Sequence, residues 1–187
     1  MPRLLLVVAL VATTTTACGD ARQTPEPSSD GTGTRALSTT EMRWLLGAGL
    51  IVRDTAPRLG ALQRVWGTAP RRALILEGDP FARDRLRSNL SWLGHCGGLL
   101  DALGPVPSVR IRRVASLMRR ACGDFKRGAI KGLRGLNSLT RLDGRASLDE
   151  AVRAGVTIQF ALEEVTRGVL LDRKAQDLAV RLLREAP

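Results

Sequence analysis

Residues 107–136 constrain the fold more than any other stretch, because at about 100° per residue they present two sharply different faces. Ile111, Val114, Met118, Ala121, Cys122, Phe125, Ala129, Leu133 and Leu136 fall within a sector of roughly 120°. On the other side Arg112, Arg113, Arg119, Arg120, Lys126, Arg127, Lys131 and Arg134 share a sector of roughly 140°. The pattern predicts a long amphipathic helix with a core-facing stripe and a cationic face. Between 107 and 142 there are ten basic residues and one acid, Asp124, so nine of the chain's eleven net positive charges sit on one element.

The rest of the chain must cover that stripe. Its 187 residues fit one domain, and removing the first 36 still leaves 151, enough for a single core of ordinary size. Tyr is absent and aromatics make up only 3% of residues, so the core is built from Leu, Val, Ala and Ile, which suits packed helices. An all-α bundle of four to six helices is expected.

Local signals place the other helices. Ser38-Thr39-Thr40-Glu41 has capping-box spacing and opens a helix over 39–54, with Met42, Leu45, Leu46, Leu50 and Ile51 at helical steps. Pro57 marks a new start or a kink, with Leu59, Leu62, Val65 and Trp66 as its apolar set. The run 73–76 is read as a short helix, since a lone four-residue strand has no partner. Asp79-Pro80 is an N-cap followed by proline at the first helical position. The helix it opens runs to 103, with Phe81, Trp92, Leu93, Cys96, Leu99, Leu100 and Leu103 inward and Arg83, Asp84, Arg87 and His95 outward. Gly104-Pro105-Val106-Pro107 ends it. A second capping box, Ser147 to Glu150, opens a last helix to about 171, which residues 172–185 continue or cap. Its apolar set of Ala151, Ala154, Ile158, Ala161, Leu162, Val165 and Val169 is widened by Val152, Val156 and Phe160, as in a central, largely buried helix.

Ahead of this domain, Arg3 and the nine apolar residues 4–12 read as an export signal, since nine residues are too few for a helix to cross a bilayer. At Thr15-Thr16-Ala17-Cys18 the segment resembles a bacterial lipoprotein signal with its lipobox. The resemblance covers about the first 20 residues. It implies removal of residues 1–17, acylation of Cys18, and residence on the extracytoplasmic side of a membrane. Ordinary cleavage after Ala17 is the alternative, because Thr15 stands where the lipobox usually carries an aliphatic residue. Residues 18–36, rich in Pro, Ser, Gly and Thr, then read as a flexible tether, leaving 37–187 as the folded domain.

An acylated Cys18 leaves Cys96 and Cys122 as a pair in a compartment that permits oxidation. Both lie on apolar faces, so a bridge is predicted. In a straight hairpin reversing at Pro105, however, Cys122 lies about 10 Å past the level of Cys96, while bridging needs Cα atoms within about 7 Å. Three solutions stay open: a break at Gly97-Gly98, a longer loop, or no bond.

Signals for catalysis are weak. His95, the only histidine, adjoins Cys96, but neighbouring helical residues diverge by about 100°. Glu163 and Glu164 also diverge, and Arg153 and Arg167 at helical spacing make solvated ion pairs the simpler reading. Neither the Glu-x-x-His pairs of a ferritin-like centre nor CxxC, HExxH, P-loop or GxSxG motifs occur. No catalytic residue, metal site or cofactor is therefore expected. Gly128 and Gly132, four apart beside the apolar stripe, suit close helix approach or an oligomer contact.

These features point to a non-enzymatic envelope lipoprotein held by its lipid anchor. Its cationic face would bind an anionic partner: lipid headgroups, an acidic wall polymer or an acidic protein. An ordinary solvated face mixes signs, and like charges alone repel. The alternative is a structural subunit of an envelope complex, in which the apolar and glycine-rich surfaces matter instead. Nucleic acid suits the charge but not export.

Overall fold

A computed structural model describes residues 36–142 and 147–185. Cys18, the signal and the tether up to residue 35 lie outside the described residues. Six helices follow one another: α1 (Thr39–Trp66), α2 (Ala69–Glu77), α3 (Pro80–Gly94), α4 (Cys96–Asp101), α5 (Val109–Leu142) and α6 (Leu148–Arg184). No strand occurs among the described residues, and the architecture is an all-α bundle.

The 34-residue α5 is the axis of the bundle, packed by α3, α4 and most extensively by α6. Every residue of its expected stripe is buried except Leu133, which is half-buried. The pairing with α6 is antiparallel and close. A Cβ at Gly128 would stand 2.7 Å from the Ala161 carbonyl oxygen, and one at Gly168 would stand 2.6 Å from the Phe125 ring. Any side chain at Gly128 would therefore force the two backbones apart. Gly132 receives the Leu90 side chain of α3. Both glycines of the sequence pattern are thus spent on packing inside this chain, with Ala161 of α6 meeting both of them.

The capping signals hold. Ser38 Oγ accepts from the Glu41 amide while a Glu41 carboxylate oxygen accepts from the Ser38 amide, and Ser147 and Glu150 repeat the arrangement on α6. Asp79 accepts from the Ala82 amide at the start of α3. Glu41 does more than cap, because its Oε1 accepts from the Ser108 hydroxyl at 2.5 Å and so ties α1 to the chain entering α5. That hydrogen bond, followed by the one from the Ser38 amide, lowers the Glu41 pKa.

Four expectations are corrected. First, α1 does not end near residue 54 but runs through Pro57 to Trp66. An interior proline removes one backbone hydrogen bond and normally bends a helix. Here buried Trp44, Leu45, Ala48, Ile51, Leu62, Val65 and Trp66 continue one inward stripe across it, and Trp66 Nε1 donates to Gln159 on α6. Packing outweighs the local stop signal.

Second, the helix opened at Asp79 breaks at His95, separating α3 from α4. Of the residues expected inward, Leu93, Cys96 and Leu100 are buried and Trp92 and Leu103 half-buried, but Phe81 and Leu99 are exposed. Arg83, Leu86, Leu90 and Leu93 are buried, and Phe81 is 82% exposed. Arg83 can go inward because its Nε donates to the Ile75 carbonyl at 2.8 Å, near the C-terminal end of α2 where the helix dipole favours a cation.

Third, the bridge between Cys96 and Cys122 is formed, with Cα atoms 5.2 Å apart. The break that allows it falls at Gly94-His95, just before the glycines expected to supply it, and the seven residues 102–108 give the chain room to bring the cysteines level.

Fourth, α6 is not the central, widely buried helix. It buries Ala154, Ile158, Ala161, Val165, Gly168, Asp172, Ala175 and Leu182 along one side, whereas Val152, Val156 and Phe160 are exposed. Residues beyond 171 continue the helix, as expected, to Arg184. Central position belongs to α5, which has neighbours on more sides.

Candidate functional site: the cationic face of α5

Burial of the α5 stripe turns the opposite sector outward. Arg112, Arg113, Arg119, Arg120, Lys126, Arg127, Lys131 and Arg134 are all exposed. They spread over about 33 Å of helix at 1.5 Å per residue. Their number on one helix follows from the heptad-like recurrence of Arg112-Arg113 at Arg119-Arg120, two turns on.

The face is not uniform, because α6 supplies one acid to it. Glu164 is only 9% exposed at its side chain and is met by Lys131 Nζ at 2.7 Å, by Arg167 Nη2 at 2.5 Å and by Arg127 Nε at 3.5 Å. The hydrogen bond from Lys131 does most to lower the Glu164 pKa to about 2, against the opposing effect of burial and with further help from Arg167. Asp124, the single acid of α5 itself, is buried and paired with Arg127. Arg127 and Lys131 are therefore partly neutralised.

Arg112, Arg113, Arg119, Arg120, Lys126 and Arg134 have no ion pair among the described residues. The first four form two arginine pairs on the N-terminal half of the helix, where no ion pair to α6 forms among the described residues. The unbalanced charge is thus concentrated there, in guanidinium groups suited to bidentate contact with phosphate or carboxylate oxygens.

Compared with known proteins, the chain matches no family model, no curated protein and no solved structure.

Elsewhere the sequence candidates are spent on structure. His95 is exposed, its Nδ1 donating to the Ser91 carbonyl at 2.7 Å, and its neighbour Cys96 is in the disulfide. Glu164 is a hub of ion pairs between helices, of which sequence spacing revealed Arg167 alone. The contact to Lys131, 33 residues away, has no local signature. Among the described residues no group of His, Cys, Asp and Glu is arranged to hold a metal ion. No described helix is long and apolar enough to cross a membrane.

Proposed function

We propose that this protein is a non-enzymatic envelope lipoprotein whose α5 face docks an anionic surface, of which a layer of phospholipid headgroups is the best fit. The observation that carries this reading is the unpaired arginine quartet Arg112, Arg113, Arg119 and Arg120 on one exposed face of α5. Such a face makes shallow, repeated contacts with a flat array of phosphates and encloses nothing. The lipobox-like Thr15-Thr16-Ala17-Cys18 supports the location, since an acylated Cys18 and a short tether would keep the domain within reach of headgroups. A cysteine acylated with more than one chain would anchor the protein stably on its own, so the polybasic face would serve to lay the domain down on the headgroups.

The test compares the full-length chain with an Arg112→Gln, Arg113→Gln, Arg119→Gln, Arg120→Gln variant for sedimentation with anionic and with zwitterionic phospholipid vesicles. The wild type is expected to bind anionic vesicles more tightly than zwitterionic ones, and the variant to bind the two alike. Equal binding of the two proteins would refute the reading. If the wild type ignores vesicles but binds an anionic polymer or an acidic protein through the same arginines, the face is right and the headgroup assignment wrong.

One observation favours a second reading, the structural subunit. Leu148, Val152, Val156 and Phe160 recur every four residues along α6 and are all exposed. A stripe of this kind suits a protein partner. Its capture would be lost on Val152→Ser with Phe160→Ser and retained in the arginine variant.

A further inference from the structure

A groove separate from the α5 face lies where three helices converge. The C-terminal half of α1, the end of α2 and the outer side of α3 enclose about 1140 Å³, lined by Arg58, Arg64, Arg71, Arg85, Phe81 and Trp92 among others. Small-molecule clefts commonly span roughly 300–1,000 Å³, so the space suffices for a ligand of lipid size. We propose that this groove binds a free, single-chain anionic amphiphile, with its phosphate or carboxylate head on the arginines and its alkyl chain along the apolar floor.

Three observations carry the assignment. The charge is one-sided: four arginines line the groove with one acid, Asp54, which is already paired with Arg53. Arg64 and Arg85 have no acid partner among the described residues, and Arg71 donates only to the Arg64 carbonyl. An anion would therefore find donors not yet committed to carboxylates.

Next, Phe81 is 82% exposed in the first turn of α3, beside the exposed Leu74 of α2. Phe81 adds nothing to the core there, and an alkyl chain lying over it would remove its ring from water. Last, the Arg58 guanidinium lies 5.6 Å from the centre of the Trp92 ring. This cation–π contact occupies the aromatic face on which a flat heterocycle would stack. The remaining apolar liners, including Leu74 and Ala61, form a surface for aliphatic carbon.

Calorimetric titration of the full chain with monomeric dodecyl phosphate, below its micelle threshold, tests the proposal. Saturable one-to-one binding is expected, with dodecyl maltoside and inorganic phosphate each much weaker because each lacks one half of the ligand. Arg64→Gln and Arg85→Gln should each weaken it about tenfold, from the loss of one charged hydrogen bond, and Phe81→Ser by a similar factor of about ten. All three side chains are exposed, so these variants keep the fold, which circular dichroism checks. The α5 arginine quartet variant should bind dodecyl phosphate as the wild type does. The proposal is overturned by absence of saturable binding, by equal affinity for the maltoside, or by groove variants that bind unchanged. It is likewise overturned if those variants lose binding to anionic vesicles alone, since the ligand would then be a bilayer headgroup.

Discussion

Glu164→Gln separates the structural from the functional use of charge on α5. Lowering the carboxyl from 4.5 to about 2 corresponds to ~3.4 kcal/mol if the whole shift were realised as stability. The three cations around it are 58%, 46% and 63% exposed, so solvent screening reduces the figure to about 1–2 kcal/mol. The sign follows from the direction of the shift. A carboxyl held below its unfolded value stabilises fully above pH about 4.5, and that stability is lost as pH falls towards about 2. Urea unfolding of the two full-length proteins should therefore differ by about 1–2 kcal/mol at pH 7 and converge in acid. The same variant releases Lys131 and Arg167, while Arg127 keeps its pair with Asp124, so its binding to anionic vesicles should tighten while its stability falls. Equal stability at pH 7, or a difference unchanged in acid, would refute the ion-pair account of Glu164.

Other perturbations reach different parts of the structure. Asp172 is buried on α6, with Gln176 Nε2 donating to it at 3.0 Å, and burial raises its pKa; the ionised form costs stability at neutral pH, so Asp172→Asn should raise the pH 7 melting temperature, and the gain should shrink as pH falls through the raised folded value and be gone once pH reaches the unfolded carboxyl value. Gly128→Ala places a methyl group 2.7 Å from the Ala161 carbonyl oxygen and should lower stability by about 1–3 kcal/mol in chemical denaturation. Cys96→Ser with Cys122→Ser opens a loop of sequence separation 26 and should cost about 3.5 kcal/mol, measured against the oxidised wild type.

The face of α5 was legible from sequence because one helix carries both a complete apolar period and a nearly unbroken run of cations. A periodic signal of that length survives any detail of packing. Pro57 misled because a local stop signal says nothing about the tertiary stripe from Trp44 to Trp66 that runs past it. Arg83 and Phe81 misled in a related way: hydropathy sends arginine out and phenylalanine in, yet the Ile75 carbonyl supplies a buried partner for one and nothing covers the other. On α6 the width of the apolar set overstated burial, because a helix laid along one neighbour hides only one side. The hub at Glu164 and the groove between α1, α2 and α3 were invisible for a common reason, since both are made by residues far apart in sequence.

The measurement that bears most directly on the α5 face is a salt titration of binding to anionic vesicles, with the wild type and the arginine quartet variant side by side. Exposed charges are screened over about 10 Å at 0.1 M salt and about 3 Å at 1 M. The wild type should therefore lose affinity steeply as salt rises, while the variant stays weak throughout. Parallel curves for the two proteins, or wild-type binding indifferent to salt, would contradict the account.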